Sequence, residues 1–207
     1  MNNKSLYKLT YGLFVVTVNN GVKNTGCVIN TAIQVTSKPQ RLALTISKDN
    51  YTHNVLAQSK VCTVSVLSEN VPMNTIAAFG FQSGRDADKF ANIPTGTAEC
   101  GLPYLTEGTV AYFAGNIISS TDVGTHTIFI MELTEGEILS EETPMTYAYY
   151  QQVKKGTSPK NAPSYQETTE TKGWQCSICG HIEKTEELPA DFTCPICKQG
   201  RDKFVKL

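Results

Sequence analysis

Two pairs of cysteines near the end of this 207-residue chain constrain its fold more than any other feature. Cys176 and Cys179 form the first C-x-x-C pair, and Cys194 and Cys197 form the second. The x-x spacing lets one turn present both sulfurs to a single ion, and four such thiolates make a tetrahedral metal cage. Two disulfides are the weaker alternative, since nothing else marks the chain as secreted. We therefore predict that residues 176–197 fold around a metal ion.

The identity of the metal depends on the residues around the cysteines, because tetrahedral sulfur coordination suits both iron and zinc. These residues resemble rubredoxin: Gly-Trp-Gln-Cys-Ser-Ile-Cys-Gly, then Leu-Pro-Ala-Asp-Phe-Thr-Cys-Pro-Ile-Cys, then Arg-Asp-Lys-Phe. The resemblance covers residues 172–207 and implies an iron centre that carries single electrons. However, the gap between the pairs is short, as in rubrerythrin-type proteins, and Lys198 replaces a common glycine. A structural zinc ribbon stays open as the alternative.

A stretch without apolar periodicity separates the cysteine module from the rest of the chain. Residues 154–171 contain two prolines and many hydroxyl groups, which is typical of a flexible linker. We predict an N-terminal domain at 1–153, this linker, and a rubredoxin-like domain at 172–207. The last segment is shorter than the about 40 residues below which domains usually need a metal or disulfides. Metal binding is therefore expected to stabilise its fold.

The N-terminal domain shows the period-two alternation of apolar and polar residues that is typical of half-buried strands. The predicted strands lie at 12–18, 42–46, 62–66, 110–118 and 125–133. Frequent turn residues between them favour a barrel or a sandwich, so the predicted fold class is mainly β. Two short helices are predicted at 52–58 and 72–79, the second opening at a proline and stopping before a glycine.

The charge and the motifs exclude several functional classes. A net charge of −1 provides no support for binding to nucleic acid or to an anionic membrane surface. The apolar run Leu13 to Val16 is too short to span a bilayer, and no signal peptide is evident. No dinucleotide fingerprint, phosphate loop, catalytic triad or zinc-protease motif is present. The isolated cysteines Cys27, Cys62 and Cys100 fit a reducing, cytoplasmic compartment.

Two clusters of small polar side chains lie where predicted strands end. The first comprises Asn30, Thr31, Ala32 and Gln34, and the second comprises Ser47, Lys48, Asn50, Thr52 and His53. Hydroxyls, amides, an ammonium group and a helix N-terminus together suit a phosphate monoester. Ordinary turn and capping chemistry is the alternative interpretation of the same residues.

Most of residues 5–150 resemble the flavin reductase-like family. The resemblance is carried by the segments Gly26 to Pro39, Leu42 to His53, Ser83 to Phe90 and Gly124 to Ile130. It implies a split β-barrel that dimerises and holds FMN near the dimer interface. Departures occur at Asn30 and Thr31, which replace paired serines, and at Asn50, which replaces another serine. Each replacement keeps its capacity for hydrogen bonding.

The same resemblance implies roles for single residues. It places Asn30 and Thr31 at the flavin or its ribityl chain, and Asn50 and Thr52 at the phosphate. Ala32, Gln34, Ser47, Lys48 and His53 belong to the same predicted FMN site. His126 matches the family's histidine beside the isoalloxazine ring and is the predicted catalytic residue, with a buried core histidine as the alternative. Lys89 is predicted to approach the flavin or its phosphate, although its mixed-charge neighbourhood is also typical of a solvated loop.

A flavin domain joined to a one-electron iron domain resembles the high-molecular-weight rubredoxin family. Its members relay electrons from a nicotinamide through FMN to iron, and on to flavodiiron proteins that reduce nitric oxide or dioxygen. The resemblance therefore implies a homodimeric NAD(P)H oxidoreductase with FMN and an iron centre held by four cysteines, and a redox acceptor protein as partner. Two alternatives stay open: a reductase of free flavin or ferric iron, and a flavin-binding protein with a structural zinc ribbon. The choice between NADH and NADPH is also open.

Overall fold

The computed structural model describes residues 2–154, 156, 172–177 and 181–207. Most of the linker predicted at 154–171 therefore lies outside the described residues, and so does Cys179. Within the described part of the chain, no helix combines the length and the apolar character needed to cross a membrane.

Antiparallel strands dominate the N-terminal domain. In chain order they are β1 (Phe14–Asn19), β2 (Asn24–Ile29), β3 (Ala32–Ser37), β4 (Gln40–Ser47), β5 (Val61–Leu67), β6 (Thr95–Thr97), β7 (Pro103–Leu105), β8 (Thr109–Asp122) and β9 (His126–Ile138). Seven of the described strands form one sheet in the order β2-β1-β5-β8-β9-β4-β3, and β6 pairs with β7. The sheet curves so that β2 also contacts β4. The mainly-β prediction is confirmed, and all five predicted strands are present.

Besides 3-10 helices at Asn3–Lys8 and Arg201–Lys203, the described residues contain three short α-helices. They are α1 (Tyr51–Ser59), α2 (Met73–Phe81) and α3 (Tyr147–Gln152). Both predicted helices exist, but the second begins one residue after Pro72, which is extended, and continues past Gly80. The predicted stop at Gly80 is wrong because the following apolar residue, Phe81, packs against the core and keeps the last turn in place.

Strand β1 shows why the core has two parts. Successive side chains of a strand point to opposite faces of the sheet, yet Val15, Val16 and Val18 are all fully buried. Val16 and Val18 face the inside of the curved sheet, whereas Val15 faces α2 and α3. Because both faces are covered, the strand is a nearly continuous apolar run, and the helices are fixed against its outer face.

The C-terminal module is a small sheet around a sulfur cluster. Its strands are β10 (Trp174–Cys176), β11 (Ile182–Glu183) and β12 (Phe204–Lys206), in the order β11-β10-β12. Two residues of α2, Ala77 and Phe81, belong to the same apolar cluster as the buried residues of this module. The module therefore lies against α2 of the N-terminal domain.

Candidate functional site

Three of the four predicted metal ligands converge in the C-terminal module. The sulfur atoms of Cys176, Cys194 and Cys197 all lie within 4.8 Å of one another. The Sγ atoms of Cys176 and Cys197 are 3.6 Å apart. Each of the three side chains is buried. The fourth predicted ligand, Cys179, lies outside the described residues, so its position stays a prediction.

Backbone hydrogen bonds hold the second cysteine pair in a tight turn. The Lys198 amide donates to the Cys194 carbonyl at 3.0 Å, and the Cys194 amide donates to the Gln199 carbonyl at 2.8 Å. Lys198 has a φ of 59°, which is the left-handed region that favours glycine. This conformation fits the glycine that the resemblance to rubredoxin leads one to expect at position 198. The turn holds the sulfurs of Cys194 and Cys197 on one side, as a shared ion requires.

Aromatic side chains exclude water from the sulfur cluster. Phe192 and Phe204 meet edge to face, with ring centroids 5.2 Å apart, and Trp174 packs against the same cluster. An apolar shell of this kind influences the reduction potential of a metal centre, as do hydrogen bonds to its ligands. Soft thiolates in a closed, dry site fit iron or zinc and offer no oxygen ligand of the kind that magnesium or calcium prefers.

The N-terminal domain contains a cleft at the ends of β2 and β4, next to the first residue of β9. The end of α2 forms part of its wall. Five predicted site residues line the cleft: Asn30, Thr31, Ser47, Asn50 and His126. The other lining side chains are mostly apolar or aromatic, namely Leu13, Cys27, Val28, Ile29, Thr45, Ile76, Phe79, Phe81, Tyr147 and Tyr150. The cleft therefore combines a flat apolar wall with hydroxyl and amide groups.

A second, more polar cavity adjoins this cleft at the start of α1. It shares Asn50 and Gly80 with the cleft and adds Thr52 and Lys89 from the predicted set. The first turn of a helix carries backbone N–H groups without intrahelical acceptors, and such groups favour anions. Since α1 begins at Tyr51, the cavity brings an ammonium, a hydroxyl and a helix N-terminus together.

Two family models match this chain, one in each of its two parts. A family model described as flavin reductase like domain matches residues 6–158. The chain belongs to the flavin reductase-like family. A second family model, described as rubrerythrin, rubredoxin-like domain, matches residues 174–205. The predicted mainly-β split-barrel fold with a C-terminal rubredoxin-like domain is thus confirmed. The prediction that the chain is an oxidoreductase of the flavin reductase class is also confirmed.

Two relatives and one solved structure align with this chain over different lengths. The chain is 40% identical to the high molecular weight rubredoxin of Moorella thermoacetica, and the alignment covers 100% of both chains. It is 37% identical over 168 residues to the ferric-chelate reductase (NAD(P)H) of Archaeoglobus fulgidus, covering 81% of this chain and 99% of that protein. The NADH:FAD oxidoreductase of Streptomyces globisporus C-1027 shares the fold, with a TM-score of 0.62 at 24% identity over 69% of this chain and 84% of that one.

His126 is the candidate catalytic residue, and the fold buries it at the edge of the cleft. It is the first residue of β9 and pairs with Ser47, the last residue of β4. The residue is only 9% exposed, and its Nδ1 lies 2.8 Å from the hydroxyl of Thr125. Burial lowers the pKa of His126, although the nearby Asp49 partly opposes this. The imidazole is therefore neutral near pH 7 and can exchange hydrogen bonds without carrying a charge.

Lys89 is a buried ammonium group rather than a solvated loop residue. Its Nζ donates to the Gly26 carbonyl at 2.7 Å and to the Phe79 carbonyl at 3.3 Å. It thereby joins β2 to α2, the two elements on either side of the polar cavity. Burial lowers the pKa of Lys89 to about 8, although Cys27 acts in the opposite direction. The positive charge is consequently poorly solvated and suited to pairing with an anion.

Four of the predicted site residues lie outside both cavities. Lys48 pairs with Asp122, with 2.6 Å between Nζ and Oδ2, and His53 Nε2 lies 2.8 Å from the Thr127 hydroxyl. The other two, Ala32 and Gln34, line a separate cavity on another part of the curved sheet. Their contacts with a cofactor stay predictions, since another copy of the chain or the cofactor itself can complete such a site.

Several residues that line the cleft were not predicted as site residues from the sequence, and they lie on helices. Phe79, Gly80 and Phe81 lie at the end of α2, and Tyr147 and Tyr150 lie on α3. The usable signal was the run Tyr-Ala-Tyr-Tyr at 147–150, since aromatic side chains one helical turn apart share a face. Without knowledge of what α2 and α3 cover, that signal does not distinguish a core face from a cofactor wall.

The lining of the two cavities fits FMN. Aromatic and aliphatic side chains suit a flat ring system, hydroxyls and amides suit a ribityl chain, and Lys89 with the α1 N-terminus suits a phosphate. Gly80 lies between the cavities, and a Cβ added there would meet the nearest atom, Val28 Cγ2, at 3.7 Å. Packing within the protein therefore does not require glycine at position 80, whereas a bound ring close to α2 would.

Replacing Gly80 with alanine is expected to have opposite effects on stability and on flavin binding. The alanine should stabilise α2 by about 0.5–1 kcal/mol, because glycine is unfavourable within helices. The same methyl group should weaken FMN binding by about tenfold, as overpacked sites typically cost a little over 1 kcal/mol. Thermal unfolding without flavin and a fluorescence titration with FMN measure the two effects. An unchanged FMN affinity would place the flavin away from α2.

Proposed function

We propose that this chain is an electron-transfer flavo-rubredoxin oxidoreductase. It passes electrons from NAD(P)H through FMN to an iron centre held by four cysteines, and on to an acceptor protein such as a flavodiiron reductase of nitric oxide or dioxygen. The main support is one structural observation: residues of a single helix, α2, line the cleft and also pack against the cluster of buried sulfurs. When bound, FMN would accept a hydride and release its two electrons singly, which matches an iron centre that takes one at a time.

The residues around the cleft bind and orient the cofactor in this proposal. Asn30 and Thr31 hold the ribityl chain and the polar edge of the flavin. Asn50, Thr52 and Lys89 hold the phosphate in the polar cavity. Because the phosphate and the buried ammonium of Lys89 carry opposite charges, their pairing stabilises both charged groups.

His126 is the proposed catalytic residue at the reacting edge of the cleft. Its burial keeps the imidazole neutral by lowering its pKa, so the ring offers one donor and one acceptor. Thr125 lies within hydrogen-bond distance of Nδ1 and restrains the orientation of the ring. A neutral, oriented imidazole positions the nicotinamide and flavin without adding charge to a site that must accept a hydride.

The finer assignments belong to the same proposal. The rubredoxin-like sequence around the cysteines favours iron over zinc. The exposed apolar residues Ile33 and Val35 on β3, 58% and 43% accessible, fit a homodimer that covers this sheet edge. The free thiols of Cys27, Cys62 and Cys100 fit a cytoplasmic location. The domain boundaries at 153 and 172 stay predictions, since the two family matches end at 158 and begin at 174.

A direct reductase of ferric iron or free flavin is the second candidate. The relative from Archaeoglobus fulgidus is named ferric-chelate reductase (NAD(P)H), and 99% of it aligns with 81% of this chain. Such a reductase would use the cleft alone and would leave the sulfur cluster as a structural zinc ribbon.

A visible spectrum of the metal-quantified protein, taken before and after anaerobic addition of NADH, tests the proposal. Flavin bands together with ferric-thiolate absorption, both bleaching on NADH, are the expected result. Flavin bands with stoichiometric zinc would exclude the relay and favour the second candidate. If the flavin bleaches and the iron bands remain, the module accepts no electrons from this donor.

The affinity for FMN should fall as the pH rises above 8. Lys89 has a pKa of about 8 in the flavin-free protein, and a phosphate beside its ammonium group raises that pKa. Between these two values the complex holds one proton more than its separated parts, so affinity decreases by at most about tenfold per pH unit. Burial raises the pKa of the neighbouring Cys27, which favours the neutral thiol.

Fluorescence titrations from pH 7 to about 9.5 measure this dependence, the window following from the pKa of Lys89 and ordinary lysine values. Riboflavin, which lacks the phosphate, is the matched control and should bind with little change over the range. If the affinities for FMN and riboflavin depend equally on pH, Lys89 does not contact the phosphate.

A further inference from the structure

The C-terminal module buries a residue of α2 that the N-terminal domain leaves uncovered. Ala77 is only 3% exposed, and it belongs to the apolar cluster of Cys176, Leu188, Cys194, Cys197 and Phe204. It is absent from the two large core clusters of the N-terminal domain. Its neighbours on the helix follow a different pattern, since Ile76 and Phe79 pack into the N-terminal core. The face of α2 that carries Ala77 is thus covered by the module.

Phe81 links the two halves of the molecule. It is the last residue of α2 and packs against both the N-terminal core and the apolar cluster of the module. It also lines the candidate flavin cleft and the polar cavity beside it. One side chain therefore contacts the wall of the cleft and the cluster around the cysteines.

We propose that α2 is the docking surface for the rubredoxin-like domain of the same chain, and that Phe81 positions this domain against the cleft. Electron transfer becomes faster as the two centres approach, and Phe81 contacts both the candidate flavin cleft and the cluster around the cysteines. Because both surfaces belong to one chain, this contact does not require a second copy of the chain. The proposal deepens the proposed function and rests on it, because only a flavin in the cleft makes the proximity useful.

The small size of Ala77 is what permits the close approach. A methyl group lets the backbone of α2 lie near the module, and the contact is apolar on both sides. An arginine at this position would require a charge to be buried without a partner, which is costly, so the module would leave the helix instead. Asn74, one helical turn before Ala77, is exposed with the module in place, so an arginine there keeps its charge in solvent.

Two readouts on the full-length, zinc-loaded protein test docking separately from electron transfer. Trp174 is the single tryptophan and packs in the docked cluster, so bound FMN should quench its emission by energy transfer. Zinc is used because it does not absorb the emission. Small-angle X-ray scattering reports the radius of gyration, with or without flavin. We expect Ala77→Arg to lose most of the quenching and to expand the molecule, while Asn74→Arg matches the unmodified protein.

The outcomes separate the docking proposal from the proposed function. Equal quenching and equal scattering in Ala77→Arg and the unmodified protein would overturn docking on α2 and leave the function standing. Failure of the unmodified protein to bind FMN would overturn the function, and scattering would still decide the docking. If Ala77→Arg does not fold, Phe81→Ala, which removes most of one apolar contact without adding charge, should expand the molecule in scattering measured without flavin.

Discussion

Replacing Cys194 with serine is expected to abolish metal binding and unfold residues 172–207 while residues 1–153 stay folded. Cys194 is fully buried at the centre of the sulfur cluster. Structural zinc stabilises small domains by about 10–16 kcal/mol at neutral pH, and a module of this size has little other core. The measurements are metal content, visible absorption and the emission of Trp174, which should shift to the wavelength of a solvated indole.

Cys100→Ser is the matched control for this prediction. Cys100 is an exposed free thiol in the N-terminal domain, so its replacement should change neither the metal content nor the folding of the module. A Cys194→Ser protein that keeps both a full equivalent of metal and a folded module would show that the sulfur cluster is not the metal site. Retained FMN binding in both variants would show that the N-terminal domain folds independently.

Removing residues 154–207 should abolish electron delivery to a protein acceptor while leaving reduction of the flavin by NADH intact. The residues that line the cleft and the polar cavity, including Asn50, Lys89 and His126, all lie in the retained part. The lost part carries the sulfur cluster, which is the only group of three or more metal-ligating side chains among the described residues. Anaerobic stopped-flow absorption measures flavin reduction, and a coupled assay with a flavodiiron protein measures delivery.

A ferric chelate provides the control acceptor for the shortened protein. A small chelate can approach the cleft directly, so its reduction should continue at a rate close to that of the full chain. If the protein acceptor is also reduced at the full rate, the relay is wrong and the chain is a direct reductase. Exposure of Ala77 and Phe81 after truncation is expected to lower solubility, since the module covers both in the full chain.

Sequence patterns predicted the strands that show regular alternation or an apolar run, and they missed strands that show neither. The five predicted strands alternate regularly or form apolar runs, and all of them lie in the large sheet. Strand β3 was missed because most of its residues are exposed, so Ile33 and Val35 do not alternate with buried neighbours. Strand β2 was missed because Asn24, Thr25 and Gly26 resemble turn residues, although they pair with β1.

In the candidate site, sequence patterns predicted which residues are neighbours but not which side chains enter the cavity. Short-range order along the chain predicted that Asn50 and Thr52 lie together at the start of α1, and both line the polar cavity. It could not show that His53, one residue further, turns away to Thr127. Helical residues one position apart point in directions about 100° apart, so membership of a polar cluster does not decide which side chains enter a cavity.

By itself, the sequence indicated the rubredoxin-like module, the mainly-β architecture and the family of the N-terminal domain. The first two depend on local spacing, namely two C-x-x-C pairs and alternation along strands, and the third on the resemblance of segments such as Leu42 to His53 to the flavin reductase-like family. Only the tertiary structure decided that Lys89 bonds to carbonyls of Gly26 and Phe79 and that the module covers Ala77. Contacts of this kind join residues far apart in the chain, and they depend on strand order and packing, which no local pattern of residues encodes.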